Sequence, residues 1–253
     1  KFYGHSMKDL FTVKDKNIII TGGSQGIGLA LAKGFDNNGA NVIVLDKKNS
    51  SKLPNSVSFY KADISSTKKI NNIFSKIVKN HHTIDVLINN AGITISNNIL
   101  KYKTSDWNKT FDTNVKAVFQ LSKLCSANMI KSKIKGSIIN VISIGAFSGF
   151  PNNPAYTSSK SALRNLTKSM AMDLSIYGIR VNNLVPGYTK TPMNIKSWNN
   201  KLKNKQRASK TMLGRWALPE EMLGPSLFLA SEASNYVTGI DLIVDGGWLS
   251  KGI

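Results

Sequence analysis

Short β-branched runs alternate along the chain with longer segments whose apolar residues recur every three or four positions. The runs are KNIIIT (16–21), ANVIVLD (40–46), VSFYKAD (57–63), IDVLINNAG (84–92), GSIINVIS (136–143), IRVNNLVPG (179–187) and IDLIVDGG (240–247). Helical spacing covers 26–38, 67–80, 105–130 and 156–176. That alternation predicts βαβ units in an α/β protein, a doubly wound parallel sheet with helices on both faces, as a single domain over residues 1–253. In such sheets ligands bind beyond the carboxyl ends of the strands, so chemistry is to be sought just after each run.

Composition leaves this picture unchanged. The chain has 253 residues, 41% of them hydrophobic and 19% charged, enough for one large domain, and no composition break or repeat argues for two. Its apolar runs are far shorter than the roughly 20 residues of a membrane span, so a soluble protein is expected. Residues 1–6 lack the pattern of a signal peptide. Met7 is the expected natural start, the six residues before it being expected to come from expression. The single Cys125 forms no intramolecular disulfide and fits a reducing cytoplasm. The net charge of +20 invites a nucleic-acid partner. Only four of the 34 basic residues are arginines, however, and the lysines are scattered among asparagine and isoleucine without aromatic interleaving. A solvated lysine-rich surface is expected, with neither a nucleic-acid nor a membrane partner.

The first run ends in TGGSQGIG, residues 21–28. Gly22, Gly26 and Gly28 let the backbone turn tightly and approach a pyrophosphate; Ser24, Gln25 and Ile27 complete the turn, and the following helix offers free amides and a positive dipole end. Such turns also serve as plain strand-to-helix connections, but this one has a partner downstream. Asp46, 18 residues after Gly28, suits the ribose hydroxyls of adenosine and repels a 2′-phosphate. Gln25 adds no cation to the turn. NAD is therefore expected over NADP, although Lys47 and Lys48 offer charge to a phosphate. Asp63, followed by Ile64, suits the adenine amino group or a helix N-cap. In NNAG, Asn90, Ala91 and Gly92 suit close approach to the cofactor; alternatively Asn89 and Asn90 tie strands together.

Ser143 lies just beyond a strand, and Tyr156 and Lys160 stand one helical turn apart thirteen residues later. Asn114 is polar within the apolar spacing of DTNVKAVF. A free tyrosine titrates near 10, and work as a base near neutrality requires a depression worth about 3 to 4 kcal/mol. A cation about 4 Å away contributes on the order of 4 kcal/mol at an effective dielectric of 20, so Lys160 is expected to supply most of it. The three histidines, His5, His81 and His82, form no ligand cluster, and no metal is expected.

TGGSQGIG, NNAG, Asn114, Ser143, Tyr156-x-x-x-Lys160 and the pair Pro186–Gly187, in this order and spacing, resemble the short-chain dehydrogenase/reductase family from about Phe11 to Gly247. The resemblance implies a Rossmann-like fold and hydride transfer between NAD(P) and a secondary alcohol or ketone. It implies Tyr156 as acid/base, Ser143 orienting the carbonyl or alcohol, Lys160 on the nicotinamide ribose, and Asn114 holding a relay water. It further implies that Thr191 meets the carboxamide through its hydroxyl and Thr189 through its backbone, and that about 192–213 form a substrate lid. A homotetramer is implied, with interfaces on the helices around Asn114 and Tyr156 and on the C-terminal strand. Both ends of the chain look most like sugar-acid and polyol dehydrogenases of the gluconate type, and next like 3-oxoacyl-carrier-protein reductases, against which Asp46 argues. The lid cations Lys196, Lys201, Lys203, Lys205, Arg207 and Lys210 attract an anionic substrate or are merely solvated. A catalytically silent NAD-binding regulator, or an anion- or nucleic-acid-binding protein on a reused fold, is the alternative of another class; the filled catalytic positions weigh against both.

Overall fold

The computed structural model describes residues 10–251, so the start expected at Met7 lies outside the described residues. Seven parallel strands form one sheet: β1 (Asn17–Thr21), β2 (Asn41–Asp46), β3 (Ser58–Lys61), β4 (Val86–Asn89), β5 (Ser137–Val141), β6 (Arg180–Pro186) and β7 (Asp241–Val244), in the order β3-β2-β1-β4-β5-β6-β7. The register sets Ile20 opposite Val44 on one side and Ile88 on the other. Strand order reverses between β1 and β4, the switch point where a crevice opens at the carboxyl edge.

Period-two alternation divides each strand between two cores. Ile18, Ile20, Val42, Val44, Val86 and Ile88 meet Leu31, Ala32 and Phe35 of α1 (Gly26–Asn37), in one buried cluster with Leu229 and Ala230. Ile19, Ile43, Leu87 and Ile138 meet Ile70, Phe74 and Ile77, a one-sided stripe of α2 (Thr67–His81). Because both faces are covered, the central strands carry continuous buried apolar runs, Ile18–Ile20 in β1, Val42–Leu45 in β2 and Val86–Ile88 in β4, as parallel sheets require.

The spacing that predicts one helix over 105–130 misses an interruption. The chain forms α3 (Thr104–Phe111), a π-helical turn over Asp112–Lys116, and α4 (Ala117–Lys131). The Ala117 amide donates to the Asp112 carbonyl, one residue further back than an α-helix allows. The widened turn holds Asn114 wholly buried against the loop after β4, its amide nitrogen donating to the Ile93 carbonyl (3.0 Å) and its oxygen accepting from the Ile93 amide (2.9 Å). α5 (Pro154–Ser175) starts two residues earlier than expected, with Pro154 in its first turn, where no amide hydrogen is needed. Two short helices, α6 (Ile195–Asn199) and α7 (Lys201–Ala208), follow β6, and a 3-10 turn over Pro219–Met222 leads into α8 (Leu223–Ala230). Among the described residues no helix is long and apolar enough to cross a membrane.

A line of buried side-chain hydrogen bonds crosses the C-terminal half of the sheet. The Asn89 amide donates to Ser122 Oγ (3.1 Å) and Asn140 Oδ1 (2.9 Å), and Asn140 donates to Thr167 Oγ1 (2.8 Å). Thr167 donates to Asn183 Oδ1 (2.7 Å), and Asn183 to Asp241 Oδ1 (2.8 Å). Of the two roles considered for Asn89, tying strands is the one it performs. Asn140→Ala removes one buried partner each from Asn89, which keeps Ser122, and from Thr167, which keeps Asn183, so it is expected to lower the unfolding free energy by about 1–3 kcal/mol. Urea denaturation checks this, and a loss under about 0.5 kcal/mol would mean that the network adds nothing to stability.

Candidate active site

A cleft of about 870 Å³ opens at the carboxyl edge of the sheet. Its floor is the glycine turn, left-handed at Gly22 (φ 67°) and Gly26 (φ 54°). A Cβ on Gly22 would lie 2.9 Å from the Ala91 Cα, and one on Gly28 2.2 Å from the Gly22 carbonyl oxygen. Gly28 therefore faces protein and sets the helix-to-strand distance, while Gly22, Ser24, Gln25, Gly26 and Ile27 line the cleft. No side chain caps the amides at the start of α1, and the buried Ser24 Oγ has no partner among the described residues. Uncapped amides with an orphaned hydroxyl beside them fit a bound phosphate.

Asp46 closes this end. Its carboxylate accepts from the Ser24 amide (3.0 Å) and the Lys47 amide (2.6 Å). Asp63 stands between two residues that line the cleft, Ala62 and Ile64. Its carboxylate takes the Lys47 ammonium (3.0 Å), the Ser65 amide (3.1 Å) and the Ser65 hydroxyl (2.7 Å), local bonds that match the capping role considered for it. Asn90, Ala91 and Gly92 line the cleft, and the Asn90 amide also donates to the Thr21 (2.9 Å) and Gly22 (3.1 Å) carbonyls. Asn90 thus ties the ends of β1 and β4 together while facing the cleft.

Ser143, Tyr156 and Lys160 share the opposite wall. Ser143 follows β5 directly, and its hydroxyl accepts from the Gly145 amide (3.0 Å). Lys160, 4% exposed, donates to the Val141 carbonyl (2.8 Å), its nitrogen 5.9 Å from the centre of the Tyr156 ring. Here the expected electrostatics fail. Burial pushes the Tyr156 phenol up, with the Ser143 hydroxyl acting in the opposite direction, and burial pushes Lys160 down to about 8. Loss of water is the largest cause of both shifts. Lys160 by itself does not make Tyr156 a base near neutrality.

Asn114 supports this wall from the protein side. It lies behind the cleft wall, and besides the two bonds to Ile93 it donates to Ser159 Oγ (3.0 Å), so both of its side-chain amide hydrogens hold it to the protein. Pro186, Gly187, Thr189 and Thr191 form the remaining edge. A Cβ on Gly187 would come 2.7 Å from the Asp245 Cα, and the buried Thr189 hydroxyl donates to the Gly187 carbonyl (3.1 Å).

Several lining residues escape sequence reasoning because they come from separate loops. Asn153 Oδ1 accepts from the Thr94 and Ser96 hydroxyls, both at 2.9 Å, which forms a small polar shelf. Tyr188 stands between Phe150 (centroids 6.5 Å apart) and Trp216 (5.3 Å). Of the six cations over 196–210, five are exposed, and only Arg207 is half-buried and lines the cleft. Among the described residues no group of three or more His, Cys, Asp or Glu is placed to hold a metal ion. The arrangement suits a dinucleotide lying from Asp46 across the glycine turn to Thr191, with a hydroxyl-bearing substrate between its far end and Tyr156.

Comparison with known proteins gives the same picture. A family model described as Enoyl-(Acyl carrier protein) reductase matches residues 22–249. Gluconate 5-dehydrogenase of Gluconobacter oxydans is 35% identical over 252 residues, covering 96% of this chain and 98% of its own. The 3-oxoacyl-[acyl-carrier-protein] reductase FabG of Thermotoga maritima is 36% identical over 247 residues, covering 93% and 98%. The crystal structure of a gluconate 5-dehydrogenase from Burkholderia cenocepacia, in complex with NADP and tartrate, superposes with a TM-score of 0.89 at 30% identity over 96% of this chain and 98% of that one. The dinucleotide cleft and these full-length relatives together identify the chain as a member of the short-chain dehydrogenase/reductase family, an NAD(P)-dependent oxidoreductase of CH–OH groups.

Proposed function

We propose that this protein is an NAD-linked dehydrogenase of sugar acids that interconverts a secondary alcohol and a ketone, with Tyr156 as the proton acceptor and donor. The observation that carries the reading is the meeting of Ser143, Tyr156 and Lys160 on one wall of the cleft, facing the glycine turn. Bound NAD(P) supplies the hydride acceptor and, when oxidised, a positive charge beside this wall. That charge favours the Tyr156 phenolate, which burial alone disfavours. Ser143 accepts from Gly145, so its one hydrogen is directed at the Tyr156 oxygen and would pass to the substrate oxygen bound beside it. Tyr156 then takes the hydroxyl proton as the carbonyl forms, and returns it in the reverse direction. Lys160 holds the ribose hydroxyls, anchored from behind by the Val141 carbonyl.

Asp46 supports NAD over NADP. Two backbone amides fix its carboxylate at the turn, and Lys47 is committed to Asp63, so a 2′-phosphate would meet an anion with only Lys48 to offset it. The NADP in the Burkholderia structure is that protein's ligand. Gluconate dehydrogenases stand among both the relatives and the solved structures, and the shelf of Thr94, Ser96 and Asn153 suits a polyhydroxylated chain. The carrier-protein reductase relative keeps reduction of 3-oxoacyl thioesters as the second reading. Residues of about 192–213 act as a lid over the substrate end. Exposed Phe119 on α4, Met172 on α5 and Ile243 on β7 suit a homotetramer built on those helices and the last strand, and the buried Cys125 thiol suits a reducing cytoplasm.

Three outcomes are expected. Tyr156→Phe lowers kcat for D-gluconate by about 10³-fold or more while the NADH dissociation constant stays within about threefold; preserved turnover would remove Tyr156 from the chemistry. Titrated by fluorescence, NADH binds at least about tenfold more tightly than NADPH, and Asp46→Ala narrows that ratio; an equal affinity in the wild type contradicts the NAD assignment. Lys160 titrates near 8 when folded against 10.5 ordinarily. Between those values the unfolded chain holds a proton that the folded one lacks, so stability rises with pH by up to about 3 kcal/mol. Urea denaturation without cofactor should show this rise in the wild type and its loss in Lys160→Met.

A further inference from the structure

Five of the six cations between 196 and 210 point to solvent, and the sixth does not. Arg207 sits on α7, half-buried, with its guanidinium 4.9 Å from the centre of the Tyr188 ring and 5.6 Å from that of Trp216. It borders the same cleft as Tyr156 and Ser143. Among the described residues its guanidinium has no hydrogen bond and no carboxylate within ion-pair distance. Arg215, a few residues on, is by contrast locked to Glu221 by two bonds of 2.8 and 2.7 Å. The other charged groups of the cleft are accounted for. Asp46, Lys47 and Lys48 lie at the adenosine end, and Lys160 is bound to Val141.

A guanidinium stacked on aromatic faces is fixed in orientation while its edge donors stay unused. Placed at the wall of a cleft, such a fork matches a planar carboxylate in two parallel hydrogen bonds. Tyr188 links this fork to the chemistry, since it follows Gly187 on the cleft edge and packs toward Phe150 on the far side of the substrate end. The shelf formed by Thr94, Ser96 and Asn153 offers hydroxyl partners on the same cleft.

We propose that Arg207 is the specificity residue that binds the carboxylate of the substrate, so that a hydroxy acid is oriented between the Arg207 fork and Tyr156. This rests on the sugar-acid reading above and adds the group that selects acid over neutral polyol. Cation–π contact with Tyr188 and Trp216 holds the fork, so Arg207 acts through binding and takes no part in proton transfer.

Arg207→Gln and Arg207→Lys are the test, each compared with the wild type on D-gluconate and on the neutral polyol D-sorbitol. The expected result is a KM for D-gluconate raised about 10- to 100-fold in Arg207→Gln and less in Arg207→Lys, with kcat within about threefold. D-sorbitol kinetics and the NADH dissociation constant should stay within about threefold, which also shows the variants to be folded. Calorimetry of D-gluconate binding to the NADH-loaded protein should show the same loss independently of turnover. Wild-type turnover of D-gluconate with an unchanged KM in Arg207→Gln overturns this assignment alone. Equal losses on D-gluconate and D-sorbitol, or a matching loss of NADH affinity, overturn it as well, since Arg207 would then shape the lid or hold the cofactor. Turnover of neutral alcohols by a wild type that neither binds nor oxidises D-gluconate overturns both this assignment and the sugar-acid reading.

Discussion

The close passage of backbone against backbone at the carboxyl ends of β1 and β4 is the constraint on which the cleft depends. A Cβ at Gly28 would sit 2.2 Å from the Gly22 carbonyl, and one at Gly22 2.9 Å from the Ala91 Cα. The Asn90 side chain closes the gap by donating to the Thr21 and Gly22 carbonyls. With α1 this near to β1, its uncapped amides and Ser24 reach the cleft floor. A side chain in either place would push the helix outward and open the phosphate end before touching the reacting end. The same rule recurs at Gly187, where Asp245 lies too close for a Cβ.

Desolvation governs the reacting end. Tyr156 and Lys160 are placed as a phenol and a cation one helical turn apart, yet burial moves both toward their neutral forms. In the proposed mechanism, the positive charge of an oxidised cofactor would oppose this shift at Tyr156. The π-helical turn serves the same wall from behind by packing Asn114 against Ile93 and Ser159.

The excess of positive charge divides in the folded chain. Over 196–210 the lysines lie exposed, as the scattered Lys/Asn/Ile composition predicts, and the single arginine turns inward onto aromatic rings. A compact, strongly hydrated ammonium stays in water, whereas a planar guanidinium stacks at lower cost. Net charge therefore describes the surface, and one residue of a different type describes the site.

Strand-forming runs, the glycine turn, Asp46 and the Tyr156–Lys160 spacing were all legible in the chain, because each depends on periodicity or on neighbours within a few residues. These gave the seven parallel strands, their layers and most of the cleft wall. Three features were not legible. The extra residue of the turn at 112–116 leaves apolar spacing almost unchanged, so a continuous helix is what the pattern predicts. Asp63 follows a strand as expected, but that Lys47 and Ser65 bond its carboxylate depends on where those two side chains stand in the packed chain. The direction of the Tyr156 shift depends on how much water the fold removes, which no spacing encodes. The sequence by itself determined which chemical groups stand at the strand ends. The tertiary structure alone decided which of them face the cleft and in what charge state, because burial and contact between distant segments exist only once the chain is packed.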